Sequence, residues 1–460
     1  MKNPPPLFAH QEETIDFFLS TPRVLCFSDA GTGKTRSVIE SIRQQKHLGK
    51  TLILAPKSIL EPAWANDIRK FAPELTYSIA RANNRRQGFE ADVDVVITNF
   101  DAVQWLHNFI IKEKKGSLAG FYKLVCDEST AFKNAQAQRS KKLAALIHAF
   151  SHRIALTGTP APNSIVDIWH QAYLIDDGER LGKSFYRFRG TACELDKSNP
   201  YATFQTWNDK PGIQEAVADI LAPITIRHKL EECLDIPENN VVEYSFQLDA
   251  ENRRAYRQLV KESLLECDLG SITAPQAGVL ASKLSQIASG AVYGDDGTVL
   301  ELSTTRTELI VQLIEEREQC VVAFLWKHQR KALKEAFEKA GITYATIDGE
   351  ANDKDREAAV SDFQAGKIKV ILAHPQSAGH GLTLTKGTAV IWCSPTYNVE
   401  HYMQFNARIY RATQTRKTTT IHITAEDTID SDVYTKLLGK KVNMLELLAL
   451  AKENYELGAT

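Results

Sequence analysis

Short apolar runs rich in β-branched residues alternate along this chain with longer amphipathic stretches, the pattern of parallel sheets with crossover helices. In the first half the runs are RVLCFSD, TLILAP, DVVITN, KLVCDE and RIALTG, each followed by a loop and a helix-like segment. They are apolar almost without alternation, as expected of strands buried on both faces. The rhythm breaks from about Ile175 to Val241, where aromatic and polar residues mix without a period and DKPG at 209–212 marks a turn. Residues 248–290 have helical spacing and few breakers, which predicts two or more helices. Alternation resumes with QCVVAFLW, YATIDGE, VILAHP, AVIWCSP and TTIHIT. The pattern predicts an α/β protein with two parallel-sheet lobes joined by an irregular and helical middle.

Composition adds bounds. At 460 residues the chain is long for a single core. With 43% hydrophobic and 24% charged residues it reads as soluble and globular. No run approaches the ~18 apolar residues of a membrane span, and the start, MKNPPPLFAHQEE, lacks the apolar centre of a signal peptide. A cytosolic setting is expected. The seven cysteines are scattered without a CxxC pair, which argues against a zinc knuckle or a disulfide framework. Cys26, Cys126 and Cys393 lie in apolar runs and are expected to be buried, as are Trp64, Trp169 and Trp392; no such expectation attaches to Trp326. A net charge of −2 neither announces a nucleic-acid binder nor excludes a local basic cleft.

Chemistry concentrates at the ends of the apolar runs. SDAGTGKT at 28–35 sits between a strand and a helix start, with Gly31 and Gly33 in the turn and Ser28 where a phosphate-cradling loop begins with glycine. In that setting backbone N–H groups and the positive end of the helix converge on phosphates. Lys34 would reach the β- and γ-phosphates and the Thr35 hydroxyl would hold magnesium. A second run ends in Asp127 and Glu128: the first suits the metal, the second an attacking water. A third ends in the turn TGTPAPN, placed to report the nucleotide state to a bound polymer. In the far lobe, HYMQFNARIYRATQ spaces Gln404, Arg408 and Arg411 by four and three, which aligns them on one face of a helix. Such a guanidinium pair would meet the γ-phosphate of a nucleotide held by the first lobe.

The ordered set LFAHQEE, DAGTGKT, LILAPKSIL, VVITNFD, DEST, LTGTPAPN, VVAFLW, QSAGHGLTLT and QFNARIYRATQ resembles helicase superfamily two. Within it the chain is similar to the sucrose-non-fermenting (SWI/SNF-type) ATPases over nearly its whole length. APITIRHKLEECLDIPE, with Arg227 and Lys229, resembles the interlobe stretch, and AEDTIDSDVYTKLLGKK the closing helix. The resemblance implies two RecA-like lobes: 1–228 binding ATP, with an insertion near 175–220; a linker and helical protrusion at 229–298; and a C-terminal lobe with its closing helix at 299–460. It implies that Gln11 contacts adenine, that Gln404 precedes the motif arginines Arg408 and Arg411, and that Gly379 and Gly381 form a loop in close contact with nucleotide or DNA. Thr130 replaces a more familiar histidine after the acidic pair, and RATQ stands where RIGQ is more frequent.

The implied activity is a DNA-stimulated ATPase using ATP and Mg2+ and translocating on double-stranded DNA, with single-stranded DNA or RNA as other substrates. A strand-separating helicase and an ATP-gated DNA-binding scaffold with little turnover are the rivals. Lys57, Ser58, Thr98, Asn99, Ser377 and His380, in strand-end loops, are the candidate polymer contacts, because hydroxyl and amide groups bind phosphate without reading bases. A monomer without membrane contact, in a bacterial or phage-infected cell and with room for a protein partner, completes the expectation.

Overall fold

The computed structural model describes residues 5–195, 207–233, 235–268, 274–294, 296–378 and 382–439. They form two compact units, the first ending at Asp235 and the second beginning at Ile236.

The first unit is built on a seven-stranded sheet in the order Tyr77–Ala80, Val95–Asn99, Lys50–Ala55, Phe121–Asp127, His152–Leu156, Arg23–Cys26, Thr225–Ile226. Every pairing in it is parallel. Both faces are buried, so side chains of period two feed two cores. Leu52 and Leu54 join Val96, Leu124 and Cys126 on one face. Ile53 and Ala55 join Val24, Val38, Ile97 and Ile154 on the other. Burial of each large aliphatic side chain contributes about 1.5–3 kcal/mol, which explains the continuously apolar strands. Because the strands are parallel, all their C-terminal ends open on one rim, where open α/β sheets bind ligands.

The second unit carries a six-stranded parallel sheet in the order Asn239–Phe246, Thr418–Ala425, Ala389–Trp392, Cys320–Ala323, Val370–Ala373, Tyr344–Ile347. Val321, Ala323, Ile371 and Trp392 face one core, and Val322, Val370, Leu372 and Ile391 the other. The expected helices run over Ala250–Asp268 and Ala274–Ala288 and pack within this unit. Tyr256, Val260, Leu284 and Ile287 bury with Ile429 and Val433 of the closing helix region, whose helix spans Asp430–Leu438. A buried ion pair between Arg306 and Asp430 fastens that helix to the sheet, Arg306 also donating to the carbonyls of Cys393 and Ile423.

All ten predicted strands are present. Among the described residues, three strands of the two large sheets escaped the pattern, each at a sheet edge, as did the two short antiparallel pairs. Asn239–Phe246 leaves Val241 and Tyr244 exposed, so its half-polar sequence lacks the apolar continuity of its neighbours. The irregular stretch contains the helix Phe185–Ala192 and an antiparallel pair, Cys193–Leu195 with Trp207–Asp209. DKPG does turn: Gly212 has φ 73°, and Ile213 N–H donates to Lys210 O at 3.2 Å. Cys26, Cys126, Cys393, Trp64, Trp169 and Trp392 are buried as expected, while Trp326 is half-buried. Among the described residues no helix is long and apolar enough to cross a membrane.

Candidate active site

The strand Arg23–Cys26 delivers the chain to a loop that ends at the helix Lys34–Gln45. Gly31 and Gly33 have φ of 91° and 88°, conformations that side chains resist. Gly33 is needed twice over, since a Cβ there would stand 2.1 Å from Gln11 Nε2. Gln11 is buried; its Nε2 donates to Thr32 O at 3.2 Å and its Oε1 accepts from Phe8 N–H. His10 Nε2 meets the same carbonyl at 2.8 Å. Lys34 Nζ donates to the carbonyls of Ser28 and Asp29 at 2.6 and 2.9 Å. With the carbonyls turned inward, the N–H groups of the first helical turn, which have no intrahelical acceptor, are left for an anion.

Ser28, the departure from glycine, has a structural use. Its Oγ accepts from His228 N–H at 3.0 Å, Asp29 N–H donates to His228 O at 2.9 Å, and Leu230 N–H donates to Asp29 Oδ2 at 3.1 Å. The loop is thereby fastened to the stretch of Arg227 and Lys229, both exposed.

Two strands away, Asp127 ends Phe121–Asp127 at 8% exposure. Trp64 Nε1 donates to its Oδ2 at 2.9 Å and Glu128 N–H to its Oδ1 at 3.1 Å. Burial pushes the carboxyl above the usual range, while the Trp64 indole and the Lys34 charge pull it back. Glu128 turns the chain in a left-handed conformation, φ 50°, uncommon for a residue with a side chain. The following Ser129 donates to Gln171 Oε1 at 2.6 Å, and Gln171 Nε2 donates to Pro160 O at 2.7 Å. The acidic turn is thus wired to the TGTP turn, whose Gly158 would bring a Cβ within 3.5 Å of Ala30 N in the glycine loop. Thr130, in the place of the familiar histidine, is buried. Trp64, expected only in the core, and Gln171 were legible as apolar or polar positions but not as partners, because their contacts cross 63 and 42 residues of chain.

In the second unit the helix Val399–Asn406, capped by Asn398 accepting from His401 N–H, stops before the arginines. The expected single helical face is corrected: Gln404 is on the helix, while Arg408 and Arg411 lie in the turns after it. Leu384 N–H donates to Arg408 O at 2.9 Å, a bond that draws the backbone out of the helix. The two guanidiniums still converge, donating to Leu382 O at 3.3 and 2.8 Å, and Arg408 Nε returns to Gln404 O at 2.8 Å. Gln404 is buried, with Nε2 on Glu400. Gln414 of RATQ pins the carbonyls of Thr385, Gly387 and Ile409, an anchoring role not read from the sequence.

Of the polymer candidates, Lys57 is exposed, and Ser58, Asn99 and Ser377 are half-buried on strand-end loops. Thr98 is corrected. It is wholly buried and its hydroxyl donates to Ala80 O at 2.7 Å, so it holds two strands together rather than facing a ligand. Gly379, His380 and Gly381 lie outside the described residues.

No group of three or more His, Cys, Asp or Glu among the described residues forms a metal cage. One hydroxyl, Thr35, and one buried carboxylate, Asp127, suit a magnesium ion that keeps water and phosphate oxygens as its other ligands.

Residues 10–290 match the SNF2-related domain and 305–413 the helicase conserved C-terminal domain. The chain is 29% identical to putative protein p41 of Acyrthosiphon pisum secondary endosymbiont phage 1, over 94% of this chain and 95% of that protein. It is 26% identical to the putative ATP-dependent helicase/translocase YwqA of Bacillus subtilis, over 84% of this chain but 42% of that longer protein. The Sulfolobus solfataricus SWI2/SNF2 ATPase core in complex with dsDNA is 22% identical, with a TM-score of 0.45 over 95% of this chain and 92% of that one.

Proposed function

The chain belongs to the SNF2-related family of helicase-like ATPases, and from that premise we propose that it hydrolyses ATP on binding DNA and moves along the duplex without separating its strands. The observation that carries this reading is one rim: the glycine loop with Lys34 at a helix start and the buried Asp127–Glu128 turn open at the ends of strands of one parallel sheet.

Lys34 and the helix start bind the phosphates, and Gln11 beside Thr32 faces the base. Thr35 and Asp127 would hold magnesium, which would neutralise phosphate charge when bound. Glu128 orients and deprotonates the attacking water. Arg408 and Arg411 supply positive charge to the γ-phosphate from the second unit. The links from Ser129 through Gln171 to Pro160 carry the state of the acidic turn to the strand-end loops that meet the polymer. Lys57, Ser58, Asn99, Ser377 and His380 contact phosphate. The Bacillus relative's name, helicase/translocase, supports movement, and the phage and bacterial relatives support work in the cytoplasm of a bacterial or phage-infected cell.

The test is ATPase activity with duplex DNA, single-stranded DNA and RNA, beside triplex displacement and fork unwinding. Duplex stimulation with triplex displacement and no unwinding is expected. Activation by RNA alone overturns the reading; unwinding assigns a strand-separating helicase, and binding without turnover a scaffold. Glu128→Gln is expected to bind ATP and lose about 10²–10⁴ in turnover; near-normal hydrolysis refutes the assignment of Glu128.

A further inference from the structure

A cleft of about 760 Å³ opens at the outer edge of the first sheet, among Asn83, Asn84, Arg85, Arg86 and Gln87 with Trp105 as one wall. Amides and guanidiniums supply most of its polar groups, with Glu90 the one carboxylate in the lining, and its open form suits a polymer more than the apolar enclosure that small ligands need.

Its position follows from strand order. Lys50–Ala55, Val95–Asn99 and Tyr77–Ala80 are consecutive and parallel, the last at the sheet edge. Neighbouring strands stand about 4.8 Å apart. The loop of Lys57 and Ser58, Asn99, and the turn at Arg81 therefore mark a line about 10 Å long on one rim, with the cleft at its outer end. That is the reach of two or three nucleotides of one strand at about 3.4 Å of axial rise each.

The turn is built rather than loose. Asn84 Oδ1 accepts from Arg81 N–H at 2.7 Å and its Nδ2 donates to Ile79 O at 3.1 Å. Gly88 seats the following helix, Arg85–Glu90, directly on the edge strand, since a Cβ there would stand 2.8 Å from Ala80 Cβ. Arg85 is turned towards Asn99, its Nη2 3.5 Å from Asn99 Oδ1, while its Nε is buried with no hydrogen-bond partner among the described residues. Arg86 pairs with Glu90 at 2.9 Å and lies over the Phe109 ring, so its charge is partly offset. Arg85 is the cation with donors to spare.

We propose that Arg85, with Asn99 at its side, is a phosphodiester-binding residue that extends the polymer track to the edge of the first sheet. The inference rests on the reading of this chain as a DNA-dependent motor and names a contact in it. A guanidinium presents paired donors that a phosphate matches and an ammonium does not.

The full chain and its Arg85→Ala and Arg85→Lys variants are titrated with a labelled duplex across a salt series, following anisotropy and ATP hydrolysis in parallel. Arg85→Ala is expected to weaken duplex binding about 5- to 10-fold and to lower the slope of log K against log salt by about one. Basal ATPase and the rate at saturating duplex stay unchanged, and Arg85→Lys restores the salt slope but only part of the affinity. Unchanged affinity and slope overturn the proposal, as does a loss of affinity without a change of slope, which marks a structural role. Displacement of the duplex by polyglutamate at equal charge concentration assigns the cleft to an acidic protein and also overturns it. Duplex that binds without stimulating hydrolysis defeats the motor reading alone, since the Arg85 comparison is still read from binding; no binding by the wild type defeats both.

Discussion

Trp64 donates its indole N–H to the carboxylate that would hold magnesium, 2.9 Å away, at a site where burial works against ionisation. A hydrogen bond to a charged group contributes about 1.5–3 kcal/mol, equivalent to roughly one to two pKa units. Trp64→Phe keeps most of the ring and removes the donor, so the Asp127 pKa should rise. The proposed magnesium role requires Asp127 ionised, so a raised pKa means that activity is lost at a higher pH as pH falls. The acid limb of the pH–rate profile at fixed magnesium is expected to move up by about one unit, with little change at pH 8.5. An unmoved acid limb would show that the bond does not tune the carboxylate. Sequence pattern put Trp64 in the core correctly, but nothing local distinguishes a Trp whose N–H is spent on a strand-end carboxylate from one that merely fills space.

At the scale of elements, Lys123 and His152 face each other in register on neighbouring strands. Lys123 is 1% exposed, and its Nζ donates to Ser41 Oγ at 3.1 Å. Burial lowers its pKa to about 7 and that of His152, with Lys123 adding to the effect, to about 3. Both groups bind protons more weakly folded than unfolded. Stability therefore rises with pH from about 7 towards 10 through Lys123, and falls as pH drops from about 6.5 towards 3 through His152. Lys123→Met keeps the length and removes the charge. It is expected to raise Tm by several degrees at pH 7, through a gain on the order of a few kcal/mol, and to flatten the slope between pH 7 and 10. A lower Tm would show that the bond to Ser41 outweighs desolvation. The strand itself was legible because its run is apolar after this lysine. The Asn239–Phe246 edge was not, because one partner strand suffices to form it and no second buried face constrains its sequence.

For the whole molecule, the residues proposed to bind ATP and the motif arginines fall in separate compact units, the first ending at Asp235 and the second beginning at Ile236. Motif order and spacing made both halves legible; the path of the backbone around the arginines was not, because Leu384 N–H, which takes Arg408 O, comes from a distant loop. If hydrolysis needs both units, then removing an arginine should leave nucleotide binding intact while stopping turnover. Arg411 is the better probe, being half-buried where Arg408 is buried. Guanidiniums of this kind supply about 10³–10⁵ in rate. Arg411→Ala is expected to hold a fluorescent ATP analogue within about threefold of wild type and to lose at least ~10³ of the DNA-stimulated kcat. Arg411→Lys should recover only a small part, because an ammonium keeps the charge but not a planar guanidinium, whose Nη1 is spent on Leu382 O and Thr383 Oγ1 while other N–H groups of the same plane can meet a phosphate. Thermal melting within a few degrees of wild type keeps a folding defect apart from a catalytic one. If Arg411→Ala melts normally and turns over at the wild-type rate, the second unit supplies no charge through this residue, and hydrolysis must be completed by groups of the first unit alone.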